Sequence, residues 1–151
     1  VLNRFFDRVM KSKLFVLSIL FFFCLTSCSK EVRVQNKIQG SWMLEEMRIV
    51  DGQGFTHYLD GVSGSLILNF DSNISEGAAT FHNDFISNGL IFTNDFAGDS
   101  LELIVDQKVV YIGSNQNRNP FSLILYNSND LVLEYYDFSS YQLRKFIFTR
   151  N

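Results

Sequence analysis

The chain has 151 residues, 46% of them hydrophobic and 15% aromatic, with a formal net charge of −3. Residues 28–151 carry 9 basic and 15 acidic side chains, a net charge of −6, and the basic ones are scattered, which excludes the electrostatic footprint of a nucleic-acid binder. With one proline and no low-complexity tract, these 124 residues have the make-up of a single folded domain that needs no disulfide or metal staple.

The first element in chain order is a leader. A basic stretch, Met10-Lys11-Ser12-Lys13, precedes an apolar run from Leu14 to Leu25 and a small-residue site, the three-part order of a secretory signal peptide. The run is too short to span a bilayer, which takes about 20 residues. Met10 is the expected initiator, because Phe5, Phe6 and Asp7 break the usual shape of the basic region. Leu25-Thr26-Ser27-Cys28 resembles the lipobox of bacterial lipoproteins. That resemblance implies cleavage before Cys28, lipidation of its sulfur and attachment to a membrane through it. Residues 1–27 are then the signal peptide and 28–37 the lipidated cysteine and a solvated tether. Ser29-Lys30-Glu31 suits delivery to an outer membrane and is also similar to the surface-export signal of Bacteroidota lipoproteins, so the periplasmic and surface faces both stay open. Cys24 leaves with the leader, and Cys28 becomes the single cysteine, with no disulfide partner in the chain.

The next candidate is a short helix over Val32 to Gln39, where Val34 and Ile38 fall one turn apart and Gly40 provides the stop. From there on the hydrophobic period is two. Ser65 to Phe70 places Leu66, Leu68 and Phe70 on one face, and Leu101 to Asp106 places Leu101, Leu103 and Val105 together. Phe121 to Tyr126 sets Phe121, Leu123 and Leu125 against Ser122, Ile124 and Tyr126. Leu131 to Tyr136 separates Tyr135 from Tyr136, so one of that pair faces out. Tyr141 to Arg150 lines up Gln142, Arg144, Phe146, Phe148 and Arg150. Turn signals fall between the runs: Asp51-Gly52, Asp60-Gly61, Asn88-Gly89, Gly98-Asp99, Asn115 to Pro120 and Ser128-Asn129-Asp130. Connections this short join antiparallel neighbours.

The pattern predicts an all-β domain over residues 38–151, an antiparallel up-and-down meander of about eight strands closed into a barrel, with a β-sandwich as the alternative. Gly40-Ser41-Trp42 at the opening of the first strand resembles the Gly-x-Trp signature of lipocalins. The resemblance implies a basic residue near the end of the last strand lying over the tryptophan. Closing the barrel sets the first strand against the last, which brings Arg150 to Trp42 ahead of Arg144, a cation–π contact of about 0.5–2 kcal/mol. Gly40, Trp42 and Arg150 are then structural residues of the barrel base. The lipocalin likeness also implies a small apolar or amphipathic ligand in the interior, lined by Leu66, Leu68, Phe70, Leu103 and Leu123.

Chemistry-bearing residues are few. Asp51, His57 and Asp60 lie close in sequence but lack the ligand spacing of a zinc or calcium site, and read as hairpin-tip residues. His82, Asp84 and Ser87 have the residue types of a triad with no nucleophile elbow, and read as a polar loop. Glu45, Glu46, Glu102 and Glu134 are spread over different strands as outer-face charges. No catalytic residue, metal site or cofactor is expected. The sequence therefore reads as a non-enzymatic, lipid-anchored protein of the cell envelope. It holds either a small ligand in an apolar void or, with a solid core and an exposed aromatic patch, a protein or glycan partner.

Overall fold

The computed structural model describes residues 30–82 and 90–151. The chain divides into two compact units, Val1–Arg33 and Val34–Asn151, and the second carries the fold described below. Residues 30–38 form a helix, α1. Within it Val34 and Ile38 are buried in the hydrophobic core. The solvated tether expected over 28–37 is thus helical from residue 30, and the domain begins at Val34, because an apolar side chain one turn before Ile38 shares its buried face.

Ten strands follow: β1 Gly40–Val50, β2 Thr56–Tyr58, β3 Ser63–Asn69, β4 Ile74–His82, β5 Ile91–Asp95, β6 Ser100–Ile104, β7 Val109–Ser114, β8 Asn117–Tyr126, β9 Asp130–Asp137 and β10 Gln142–Arg150. All belong to one antiparallel sheet in the order β5-β4-β3-β1-β10-β9-β8-β7-β6, with the three-residue β2 laid on the end of β1. The fold is an up-and-down, lipocalin-like meander curled into a barrel. A single continuous sheet sets the sandwich alternative aside. The first long strand pairs with the last from Trp42↔Arg150 at one end to Val50↔Leu143 at the other.

Among the described residues β5 and β6 share no ladder, so the seam of the barrel lies between them. It is latched from one side. Ser75 and Gly98 exchange two backbone hydrogen bonds of 3.0 and 2.9 Å, and Phe96 N–H donates to Gly77 O at 2.9 Å. Asn73 adds its side chain, donating to Asp99 O and accepting from Leu101 N–H. Gly98 comes so close to Gly113 of β7 that a Cβ on Gly98 would sit 1.9 Å from Gly113 O.

The inward face carries the core. Phe96 meets Phe121, Phe146 and Phe148 edge-on with ring centroids 5.8, 5.4 and 6.0 Å apart, the arrangement favoured by the ring quadrupoles. Two β-bulges reset the alternation. One, between Leu44 and Glu46, moves burial in β1 from Trp42 and Leu44 to Met47 and Ile49. The other, between Leu123 and Leu125 in β8, turns Leu125 outward and lets Tyr126 pack against the core, the reverse of the strict alternation read for 121–126. The turn expected over Asn115 to Pro120 is shorter, since β8 starts at Asn117. Pro120 stands opposite Tyr111, two residues before the β8–β9 ladder begins at Ser122, so its missing N–H costs that ladder nothing.

Candidate functional site

At one end of the barrel the residues of the Gly-x-Trp motif form a closed base. Arg150 and Trp42 are cross-strand partners, and the Arg150 Cζ lies 4.2 Å from the centroid of the buried indole. The guanidinium donates from Nε to Ser128 O at 2.7 Å, from Nη1 to Gln39 O at 3.0 Å and from Nη2 to Lys37 O at 2.6 Å. Trp42 Nε1 donates to Ile38 O at 2.8 Å. The carbonyls of Lys37, Ile38 and Gln39 close α1, where a helix leaves acceptors unsatisfied and presents its negative dipole end, so a cation and an indole N–H satisfy both needs. Gly40 has φ +121°, and a Cβ there would sit 2.9 Å from Arg150 Nη1, which explains the glycine of the motif. This base is a structural device with no opening for a ligand between indole and guanidinium.

The opposite end, the mouth, is polar and aromatic. Arg144 follows Phe146 and Phe148 on the lumen face of β10 and reaches across to the far wall. Its Nη1 donates to Asn94 Oδ1 on β5 at 2.7 Å, its Nη2 is paired with Asp137 on β9, and its Cζ lies 5.7 Å from the Phe81 ring centroid on β4. The strand order puts β5 and β10 on opposite sides, so this side chain bars the lumen above the aromatic core. Arg144 Nε and Gln142 Oε1, two residues apart on the same strand face, have no hydrogen-bond partner in the protein.

Burial pushes the Asp137 carboxyl up, but hydrogen bonds from the Ser139 hydroxyl and backbone N–H and the charge of Arg144 hold it below the usual aspartate value. A folded-state value below the unfolded one, about 3.9, means the contribution is present above about pH 4 and is lost as pH falls through the depressed value. The expected result is a melting temperature that drops more steeply on acidification below pH 4 in the wild type than in Asp137→Asn. Parallel slopes would show that Asp137 does not carry this acid sensitivity.

Beside the bar, between β5 and the β7–β8 hairpin, lies a cleft of about 350 Å³ lined by Thr93, Asn94, Asp95, Ala97, Gly113, Ser114, Asn117 and Asn119. Asn94 belongs to both the bar and the cleft. Sequence reasoning missed this site, because its walls are twenty residues apart in the chain and the only signal, the asparagines of 115–119, reads as a turn. In the β1–β2 and β9–β10 connections at the mouth, Phe55, Phe138 and Tyr141 are exposed, and Tyr136 at the end of β9 meets Phe138 edge-on at 4.8 Å.

The leucines expected to line a ligand void sit in the core. Leu66, Leu68, Leu103 and Leu123 are buried in the central cluster, and Phe70 is half-buried against it. Asp51 accepts hydrogen bonds from the backbone N–H groups of Gln53 and Phe55, and its Oδ2 lies 2.9 Å from His57 Nε2. It therefore braces the β1–β2 turn, and the His57 hydrogen bond, then that of Phe55, holds its carboxyl below the usual range. Asp60 does not join them in a cluster, and among the described residues no group of three or more histidine, cysteine or acidic side chains is placed to hold a metal. His82 ends β4, while Asp84, Ser87 and Cys28 lie outside the described residues. Glu45 accepts from Thr149 Oγ1, and Glu46, Glu102 and Glu134 pair with Arg48, Arg118 and Lys145.

A meander barrel whose first and last strands pair, with a tryptophan under an arginine at its base, is a lipocalin-like barrel. Comparison with known protein families, characterised proteins and solved structures finds no match to the chain.

Proposed function

We propose that this chain is a lipid-anchored protein of the cell envelope whose barrel binds without catalysis and takes its ligand at the mouth, not deep in the lumen. The observation that carries this reading is Arg144, held by Asn94 and Asp137 across the lumen. Behind it stand the aromatic residues and the buried leucines of the core, so a long apolar chain could enter only by displacing a charged bar. A glycan or a protein surface, or the polar head of an amphipath, fits such a mouth better than a swallowed lipid tail. The anchor rests on the lipobox-like Leu25-Thr26-Ser27-Cys28 and its leader, with the outer membrane as the proposed location. Three acyl chains, as bacterial lipoproteins carry, give an effectively permanent attachment, since each buried methylene contributes about 0.8 kcal/mol.

Two measurements on the full chain in its host test the two halves. Metabolic labelling with a palmitate analogue is expected to mark the wild type and not Cys28→Ser, and the variant is expected to move from the detergent phase to the aqueous phase. Equal labelling of both would overturn the anchor. For the barrel, a fluorescent long-chain fatty acid is expected to show no saturable binding to the purified protein. Saturable, stoichiometric binding would overturn the mouth reading.

A further inference from the structure

We infer that the cleft between β5 and the β7–β8 hairpin is a binding site for a neutral, hydroxyl-rich ligand, a saccharide. The inference rests on the reading that the barrel binds at its mouth, and deepens it by naming the site and the chemistry.

The lining gives the chemistry. Apart from Ala97 and Gly113, every residue in it presents an amide, a hydroxyl or a carboxylate. The amides of Asn94, Asn117 and Asn119 each offer donors and acceptors together, which is what vicinal hydroxyl groups require, since each hydroxyl both donates and accepts. No cation lines the cleft, and Asp95 places a carboxylate there, so a phosphate or carboxylate ligand meets repulsion and no counter-charge. The neighbouring Arg118 is engaged elsewhere, 2.5 Å from Glu102 and 4.8 Å from the Tyr111 ring centroid. The lining is also too polar to reward an apolar tail.

The walls are set before any ligand arrives. Asn94 is fixed by Arg144 at 2.7 Å, Asp95 Oδ1 accepts from Ala97 N–H at 2.8 Å, and Ser114 Oγ accepts from Asn117 N–H at 3.2 Å. Gly113 has φ +137°, and a Cβ there would strike Asn117 O at 2.4 Å, so the hairpin keeps a shape open only to glycine. Side chains held in place lose little freedom on binding, which favours affinity from hydrogen bonds alone. The volume of about 350 Å³ falls within the range of ligand sites.

The test uses the full chain in a non-glycosidic detergent, applied to an array of neutral hexose and N-acetylhexosamine oligosaccharides with sulfated and sialylated counterparts. The strongest hit is then titrated by calorimetry against wild type, Asn117→Ala/Asn119→Ala and Phe138→Ala. The expected result is binding of neutral oligosaccharides, weakened at least tenfold by the double variant and unchanged by Phe138→Ala, with melting temperatures matched within a few degrees. A second variant, Ser114→Trp, fills the cleft without removing a lining amide and is expected to abolish binding. Preference for the anionic sugars, or neutral-sugar binding that survives both cleft variants, would overturn the assignment while leaving the mouth reading intact. A fatty acid that binds where no sugar does would overturn both.

Discussion

Trp42→Ala is expected to lower the unfolding free energy by about 3–5 kcal/mol, the range for removing a large aromatic side chain from a core that cannot collapse around the loss. Trp42 is fully buried, among Ile38, Leu66 and Leu68 of the same core cluster. Its truncation also removes the Nε1 donor to Ile38 O and the face on which Arg150 lies. Against a total stability of about 5–15 kcal/mol for a domain, this is a large share. Urea unfolding followed by circular dichroism measures it. Trp42→Phe keeps a ring under the guanidinium but loses the hydrogen bond, and is expected to fall between the two. A loss below about 1 kcal/mol for Trp42→Ala would mean that the base is not the keystone the geometry makes it.

The second large effect is expected at the seam. Gly98→Ala places a methyl 1.9 Å from Gly113 O and 2.7 Å from its Cα. Both obstacles are backbone, so no rotamer relieves them, and the latch of Ser75 and Gly98 must part. Overpacking of this kind costs about 1–3 kcal/mol, and here the upper end or more is expected because two hydrogen bonds go with it. Parting the latch also lets the seam widen between the already unpaired edges of β5 and β6, so the variant is expected to aggregate at concentrations the wild type tolerates. Gly52→Ala is the control, since its Cβ would meet only ordinary contacts with Tyr141 at 3.7 and 3.9 Å. Hydrogen exchange at Ser75 and Gly98 reads the latch directly, and unchanged protection in Gly98→Ala would refute it.

Much of this fold is written in the period-two runs. β3, β6, β9 and β10 stand where alternation put them, and α1 stands where Val34 and Ile38 repeat at one turn. The meander order followed from turn signals such as Ser128-Asn129-Asp130, where Asn127 Oδ1 accepts from the N–H groups of both Asn129 and Asp130. β4 left little trace, because Gly77, Ala78 and Ala79 have too little side chain to show a period. The bulge at β8 is invisible for a different reason: an extra residue changes the register without changing the composition. The base could be placed from the likeness of Gly40-Ser41-Trp42 to the lipocalin motif together with the pairing of the first and last strands. The cleft could not, since polar side chains on β5 and β8 become neighbours only through the curl of the sheet, and Arg144 shows nothing in sequence of the Asn94 it reaches fifty residues away.

The pairing of Trp42 with Arg150 also sets the order of events in folding. Residues 108 positions apart are cross-strand partners, and the strand that buries Trp42 on one side, β10, is made after the other nine. Until residue 150 is available, β1 lacks one neighbour along its whole length and the tryptophan has no cover. A nascent chain therefore holds hairpins but no sealed core, and the closing step brings together the most distant parts of the chain, the slow kind of contact. Such a barrel stays open until β10 has been made, then locks in a single step.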